Sequence, residues 1–187
     1  MIIFKVNVES ILAFERERHT PVATNRNAPS AGATAFQPMQ TITRQVHICG
    51  ATSAVKHIHL SAQAVGKIMI ARKKGRIINM SSQAGSVVLH GEAIYCMTKA
   101  AMVHMTRCLA VEWAPHGIRV NAVAPSLAMH PFLAKVTSDE LLDELTSREA
   151  FNRAAEPWEV ANVMVFLASD YSSYMTGEVV SVSSQRA

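Results

Sequence analysis

The chain has 187 residues, 49% of them apolar, with 18 Lys and Arg against 14 Asp and Glu and a net charge of +4 at pH 7. That length supports one domain with a real core. The apolar residues are dispersed, and no run is long enough to cross a membrane as a helix. The opening "MIIFKVNVESILAFERERH" has Lys5 and Glu9 inside its apolar run and lacks a small-residue cleavage site, so it does not read as a secretory signal.

The charge is unevenly placed. Up to residue 91 there are eleven Lys and Arg against three Glu, and beyond it seven against eleven acidic residues. A basic half can signal nucleic-acid or phosphate binding. Here the cations are scattered, and the one cluster, "ARKKGR" (71–76), falls at a helix end, where cations are favoured anyway. No nucleic-acid partner is expected. Cys49, Cys96 and Cys108 form an odd set without metal-ligand spacing, which points to reduced thiols in the cytoplasm. The histidines, among them His47, His57 and His59, have no carboxylate close by in sequence, so a metal site is not expected.

In chain order, "MIIFKV" resembles a strand and "SILAFERER" two helical turns. The stretch 19–45 is rich in Pro, Ala, Thr, Asn and Gln, shows no stable period, and reads as loop or disordered tail. Residues 1–50 are therefore expected to form an irregular segment apart from the rest. From 51 onward strands and helices alternate. A helix is predicted over 52–75, with Val55, Ile58, Ala62, Val65 and Ile68 or Met69 on one side, followed by a strand over 76–82. A long helix over 91–117 is stopped by Pro115 and Gly117, and a strand over 118–126 follows. A helix over 137–151 opens on a serine cap and acidic first turn, another over 156–169 has proline in its first turn, and a strand closes the chain over 177–183. Such alternation predicts an α/β fold with a parallel sheet flanked by helices.

The stretch "SSQAGSVVLHGEAIYCMTKAA" (81–101) carries the chemistry. Tyr95 and Lys99 lie four residues apart, one turn along the same helix face. An ammonium near a phenol favours the ionised form, which would make Tyr95 an acid–base for a carbinol or carbonyl oxygen. Ser82, thirteen residues upstream, ends a predicted strand, where parallel sheets place ligand-contacting groups. A tyrosine one turn from a lysine is common on solvated faces. The order strand, serine, tyrosine, lysine, helix, strand, proline is much less so. Cys96 reads as a packed thiol rather than a nucleophile.

Residues 51–187 resemble the C-terminal half of the short-chain dehydrogenase/reductase family. The matching pieces are "GRIINMSSQAG", "YCMTKAA", "LAVEWAPHGIRVNAVAPS" and "EPWEVANVMVFLASDYSSYMTGEVVSV". The flavour is similar to 3-oxoacyl-carrier-protein reductase-like members, with a tail like that of actinobacterial proteins of steroid or lipid breakdown. The resemblance implies a truncated Rossmann-like fold and NAD or NADP as cofactor. It also implies a ketone or secondary alcohol as substrate, including 3-oxoacyl or steroid-derived ones. Ser82 would bind and polarise the carbonyl, and Tyr95 would donate the proton. Lys99 would hold the nicotinamide ribose and lower the tyrosine pKa. Pro125, Ser126 and Ala128 would border the nicotinamide. It implies, too, a homo-oligomer through helices 53–72 and 91–114, whose face holds Ile94, Met97, Ala101, Met105 and Leu109.

Several family features are absent or changed. The Pro-Gly after the strand is Pro125-Ser126, with Ala128 and His130 where a branched apolar residue and threonine are usual. The asparagine of the preceding helix would align near Ala51 or Thr52, and the closing Asp-Gly-Gly is replaced within "SVSSQ". The eight glycines (32, 50, 66, 75, 85, 91, 117 and 177) are nowhere closer than six residues apart, so no glycine-rich dinucleotide turn exists in the chain. Two expectations stand side by side. One is an oxidoreductase of this family acting on a small carbonyl or alcohol. The other is a catalytically inactive remnant, truncated or frame-shifted, that associates with itself or with intact relatives.

Overall fold

The computed structural model describes residues 2–5, 41–130, 133 and 137–184, with side chains from Val55 onward. Four strands, β1 (Ile2–Lys5), β2 (Gly75–Met80), β3 (Ile118–Pro125) and β4 (Val179–Val182), form one sheet in the order β1-β2-β3-β4. Every pairing is parallel, with Ile2 opposite Ile77, Ile77 opposite Val120 and Ala122 opposite Val179. The helices are α1 (Thr41–Arg72), α2 (Ala93–Trp113), α3 (Asp139–Ser147) and α4 (Pro157–Ala168). The α/β class with a parallel sheet and flanking helices is as expected.

β2 and β3 are the central strands, and their residues alternate between two apolar layers. Ile77 and Val120 pack with Ala62 and Met69 of α1 and with Leu109, Ala110 and Trp113 of α2. Ile78 and Val123 face the other way, onto Val160, Met164 and Leu167 of α4. Each fully buried branched side chain contributes about 1.5–3 kcal/mol relative to exposure. This two-sided burial explains why β2 and β3 place apolar residues on both faces instead of alternating apolar with polar.

The helix ends follow their local chemistry. Ser138 caps α3, its hydroxyl accepting from the Leu141 amide at 3.3 Å. Pro157 opens α4, where Glu156 and Glu159 form a reciprocal capping box. α2 ends in a short 3-10 turn, Ala114–His116, closed by Gly117 at φ 69°. A side chain there would also sit 2.6 Å from the Lys73 carbonyl, so only glycine lets β3 start beside the end of α1.

Three expectations need correction, and one cannot be placed. α1 begins at Thr41, not near Thr52, so residues 41–50 are helical rather than irregular. Of the Ile68 and Met69 pair, Met69 is buried and Ile68 is exposed, because α1 turns its inner face toward Ile58, Ala62 and Met69. Leu109, assigned from the sequence to an outer association face, lies in the core against α1, with Met105 packed beside it. The two helical turns expected at "SILAFERER" lie outside the described residues.

Candidate active site

The site is built where β2 stops. Past Met80 the chain continues one step of the ladder, Ser81 N–H donating to the Val123 carbonyl at 2.8 Å. It then leaves the sheet through the 3-10 turn Gln83–Gly85. Ser82 sits at the start of this turn with its hydroxyl accepting from the Ala84 amide at 3.2 Å, an arrangement serine favours at helical starts. The turn lies tight on α2. A Cβ on Gly85 would sit 3.0 Å from the Lys99 backbone, a close contact that glycine avoids.

Two hydrogen bonds lock the strand end to the helix. The buried Ser81 hydroxyl donates to the Lys99 carbonyl at 3.1 Å, and the Lys99 ammonium donates to the Met80 carbonyl at 3.1 Å. Lys99 is only 3% exposed. One turn earlier on α2, Tyr95 lies with its ring centroid 5.6 Å from Lys99 Nζ, within cation–π range. The Ser82 side chain lies close enough to the Tyr95 phenol to act on its proton affinity. The serine, tyrosine and lysine singled out from the sequence are thus together at the C-terminal end of the sheet, where ligands bind in open parallel sheets.

The electrostatics differ from the simple expectation. Burial pushes the Tyr95 phenol above its ordinary value, and the Ser82 side chain offsets only part of that rise. Glu92 and Cys96 push it further up. The net result is a raised phenol even with Lys99 one turn away. The lysine charge is tied to the Met80 carbonyl and lies over the ring face. Burial instead lowers Lys99 itself to about 8. In this state the Tyr95 phenol is protonated at neutral pH, not a phenolate.

The other predicted positions are less open. Pro125 ends β3. The Ser126 hydroxyl donates to Glu149 Oε2 at 3.0 Å. Ala128 bridges to Ala155 and packs against the Ile78–Leu167 layer. His130 accepts from the Leu133 amide through Nδ1 at 3.2 Å. Cys96 is half-buried, its thiol 3.9 Å from the Val87 carbonyl, as a packed thiol should be. Glu149 and Ser184 were not identified from the sequence. Glu149 is buried and accepts a second hydroxyl, from Ser184, at 3.1 Å.

A nicotinamide cofactor can be tested against these groups. Lys99 and Tyr95 present donors suited to ribose hydroxyls beside a serine, so the residues present fit the nicotinamide-ribose end. The diphosphate end finds no match among the described residues. Gly66 and Gly75 pack against Trp113 and Met69, Gly85 against Lys99, and Gly91, Gly117 and Gly177 take turns with positive φ. None of these lies in a glycine cluster.

A lysine at about 8 when folded and 10.5 when unfolded binds fewer protons folded than unfolded between those two pH values. Its burial therefore weakens the fold fully below pH 8, and the penalty fades as pH climbs to 10.5. The size is about 3 kcal/mol, offset in Lys99→Met by loss of the Met80 hydrogen bond, about 1.5–3 kcal/mol. Urea unfolding is expected to show Lys99→Met gaining on the native chain by about 1 kcal/mol near neutral pH and losing that gain toward pH ~10. A stability difference independent of pH would contradict the buried-charge assignment.

Comparison with known proteins identifies the family. The family described as enoyl-(acyl carrier protein) reductase matches residues 28–184, starting inside the segment that its motifs had left out. A 5-hydroxy-7a-methyl-1-oxo-hexahydro-indene-carboxyl-CoA reductase of Mycobacterium tuberculosis is 56% identical over 111 residues, 59% of this chain and 42% of that protein. An NAD-dependent glycerol dehydrogenase of Listeria innocua is 33% identical over 174 residues, 93% of this chain and 68% of that protein. A gluconate 5-dehydrogenase of Burkholderia cenocepacia, solved with NADP and tartrate, superposes with a TM-score of 0.65 at 27% identity, covering 84% of this chain and 61% of that one. The chain spans 42% of the first relative's length and about two thirds of the second's. With the strand-end serine, the helical tyrosine and lysine, and a match across most of its length, the chain belongs to the short-chain dehydrogenase/reductase family.

Proposed function

We infer that the chain holds the proton-transfer side of an oxidoreductase that interconverts a ketone and a secondary alcohol with NAD(H) or NADP(H). The joint placement of Ser82, Tyr95 and Lys99 at the end of β2 carries this reading. Ser82 donates to the substrate oxygen, and the protonated Tyr95 phenol passes its proton to that oxygen as the carbonyl becomes a carbinol. Lys99 orients the ribose hydroxyls, and Pro125, Ser126 and Ala128 border the nicotinamide. When bound, the cofactor supplies or accepts the hydride at the substrate carbon. The relatives' names span a carboxyl-CoA reductase and a polyol dehydrogenase, which share only the carbonyl–carbinol pair. The site's own groups favour neither a 3-oxoacyl nor a steroid-derived substrate. Cys96 and Cys108 are free thiols, as suits a reducing cytoplasm.

One observation favours the second reading, an inactive self-associating remnant. The dispersed glycines give the chain no glycine-rich turn for a diphosphate. Association would use the outer faces of α1 and α2, where Leu60, Ile68, Met97 and Val111 are exposed. Static light scattering at tens of micromolar is expected to show a dimer or larger species, and a strict monomer would exclude this surface.

Fluorescence titration with NADH and NADPH is expected to give dissociation constants no tighter than about 1 mM, worth about 4 kcal/mol. A saturable value in the low micromolar range would show a diphosphate site that the glycine pattern does not reveal. At saturating cofactor, Tyr95→Phe should abolish ketone reduction, Lys99→Ala should cut it nearly as far, and Cys96→Ala should leave it within about twofold. Turnover that survives in Tyr95→Phe but not in Cys96→Ala would overturn the proton-transfer assignment. Complete absence of turnover in the native chain would leave the remnant reading.

A further inference from the structure

One face of β2 meets α2 at three successive levels. At the top, the Ser81 hydroxyl donates to the Lys99 carbonyl at 3.1 Å. One step down the same strand face, Asn79 Nδ2 donates to Thr106 Oγ1 at 2.9 Å. Below that, Ile77 packs in one apolar cluster with Leu109, Ala110 and Trp113. The middle level is polar yet wholly enclosed, Asn79 and Thr106 both being 0% exposed. Its orientation follows from proton count. The Thr106 hydroxyl has one proton and donates it to the Met102 carbonyl at 2.8 Å, so toward Asn79 it can only accept. The amide nitrogen of Asn79 must therefore face it, and the Asn79 carbonyl oxygen faces elsewhere. Asn79 Oδ1 is the buried side-chain polar atom without a partner among the described residues.

A buried carbonyl without a donor is costly, and an apolar pair of like volume in place of Asn79 and Thr106 would avoid that cost. What apolar contact lacks is direction. Leucine against valine would tolerate α2 over a range of heights and angles, whereas a 2.9 Å hydrogen bond tolerates a narrow one. That alignment bears on the site. The contacts between the end of β2 and Lys99 hold α2 at one turn, and a helix held at one turn can still swing about it. Thr106 lies seven residues beyond Lys99, about 10.5 Å along the helix axis. Asn79 lies two residues before Ser81, about 6.6 Å along the strand. Two anchors so separated fix the angle between α2 and β2. That angle decides whether Lys99 Nζ, at the end of a long side chain, stays 3.1 Å from the Met80 carbonyl with the Tyr95 ring beside it.

We propose that Asn79, acting through Thr106, is a positioning residue for Tyr95 and Lys99, the buried pair setting the angle of α2 on the sheet while the Asn79 carbonyl goes unpartnered. This rests on the reading that Tyr95 and Lys99 carry the proton-transfer chemistry, but its test does not use turnover. The double variant Asn79→Leu/Thr106→Val removes both partners at once, so neither is left stranded. Its urea midpoint is expected to equal or exceed that of the native chain. The 13Cε resonance of Lys99, followed through a pH titration of the full chain, is expected to move its midpoint from about 8 toward 10.5, by at least about one unit. A pair with a merely structural role would give the reverse, a lower urea midpoint and an unmoved Lys99. A Lys99 midpoint unchanged in the double variant would overturn the proposal, whatever its urea midpoint. Two single variants decide the matter if the double variant does not fold. Thr106→Ser keeps the hydroxyl and should keep the native Lys99 midpoint, while Thr106→Val should move it. Equal midpoints in these two variants would also overturn the positioning role. A chain without turnover in which Lys99 moves as expected leaves that role standing and sinks only the oxidoreductase reading.

Discussion

The reciprocal pair of hydrogen bonds between the end of β2 and Lys99 is the constraint on which the site depends. Ser81 reaches the backbone of Lys99, and the side chain of Lys99 reaches back to Met80. One pair of contacts fixes both the rotation of α2 about its axis and the point at which the chain leaves the sheet. With those set, Tyr95 can only lie one turn before Lys99, and Ser82 can only start the turn that faces it. The same lock buries an ammonium whose value falls to about 8, so the arrangement is held at the expense of stability.

The legible parts of the fold were those governed by short-range periodicity. α2 and α4 announce themselves by apolar spacing, by Pro157 at one start and by Pro115 and Gly117 at one end. β2 and β3 are apolar on both faces because helices cover both, and they read accordingly. The start of α1 at Thr41 was hidden, since "TITRQVHICG" mixes polar and β-branched residues without an acidic first turn. The inward turn of Leu109 was hidden for another reason. Periodicity places it on a stripe, but only the packing of α1 tells which stripe faces the core.

The site divides in the same way. Ser82, Tyr95 and Lys99 are linked by strand–turn–helix geometry within eighteen residues, so spacing sufficed to bring them together. Their electrostatics did not follow from spacing. The sequence suggests a lysine that lowers the tyrosine, whereas burial raises the phenol and Lys99 is held by a carbonyl. Glu149 could not be found at all by local reasoning, because its partners Ser126 and Ser184 lie 23 and 35 residues away along the chain. The charge asymmetry between the halves is partly resolved by contacts of still longer range, such as Arg76 pairing with Asp170, 94 residues away along the chain.

At the centre of the site a buried lysine of lowered value lies beside a protonated tyrosine. Selective labelling of lysine with 13C at Cε, with Lys99→Met used to assign the resonance, reads this charge directly during a pH titration. The account predicts a Lys99 midpoint near 8, well separated from the other lysines. A midpoint at the ordinary 10.5 would contradict it, because it would place the ammonium in water and release the strand end from the helix.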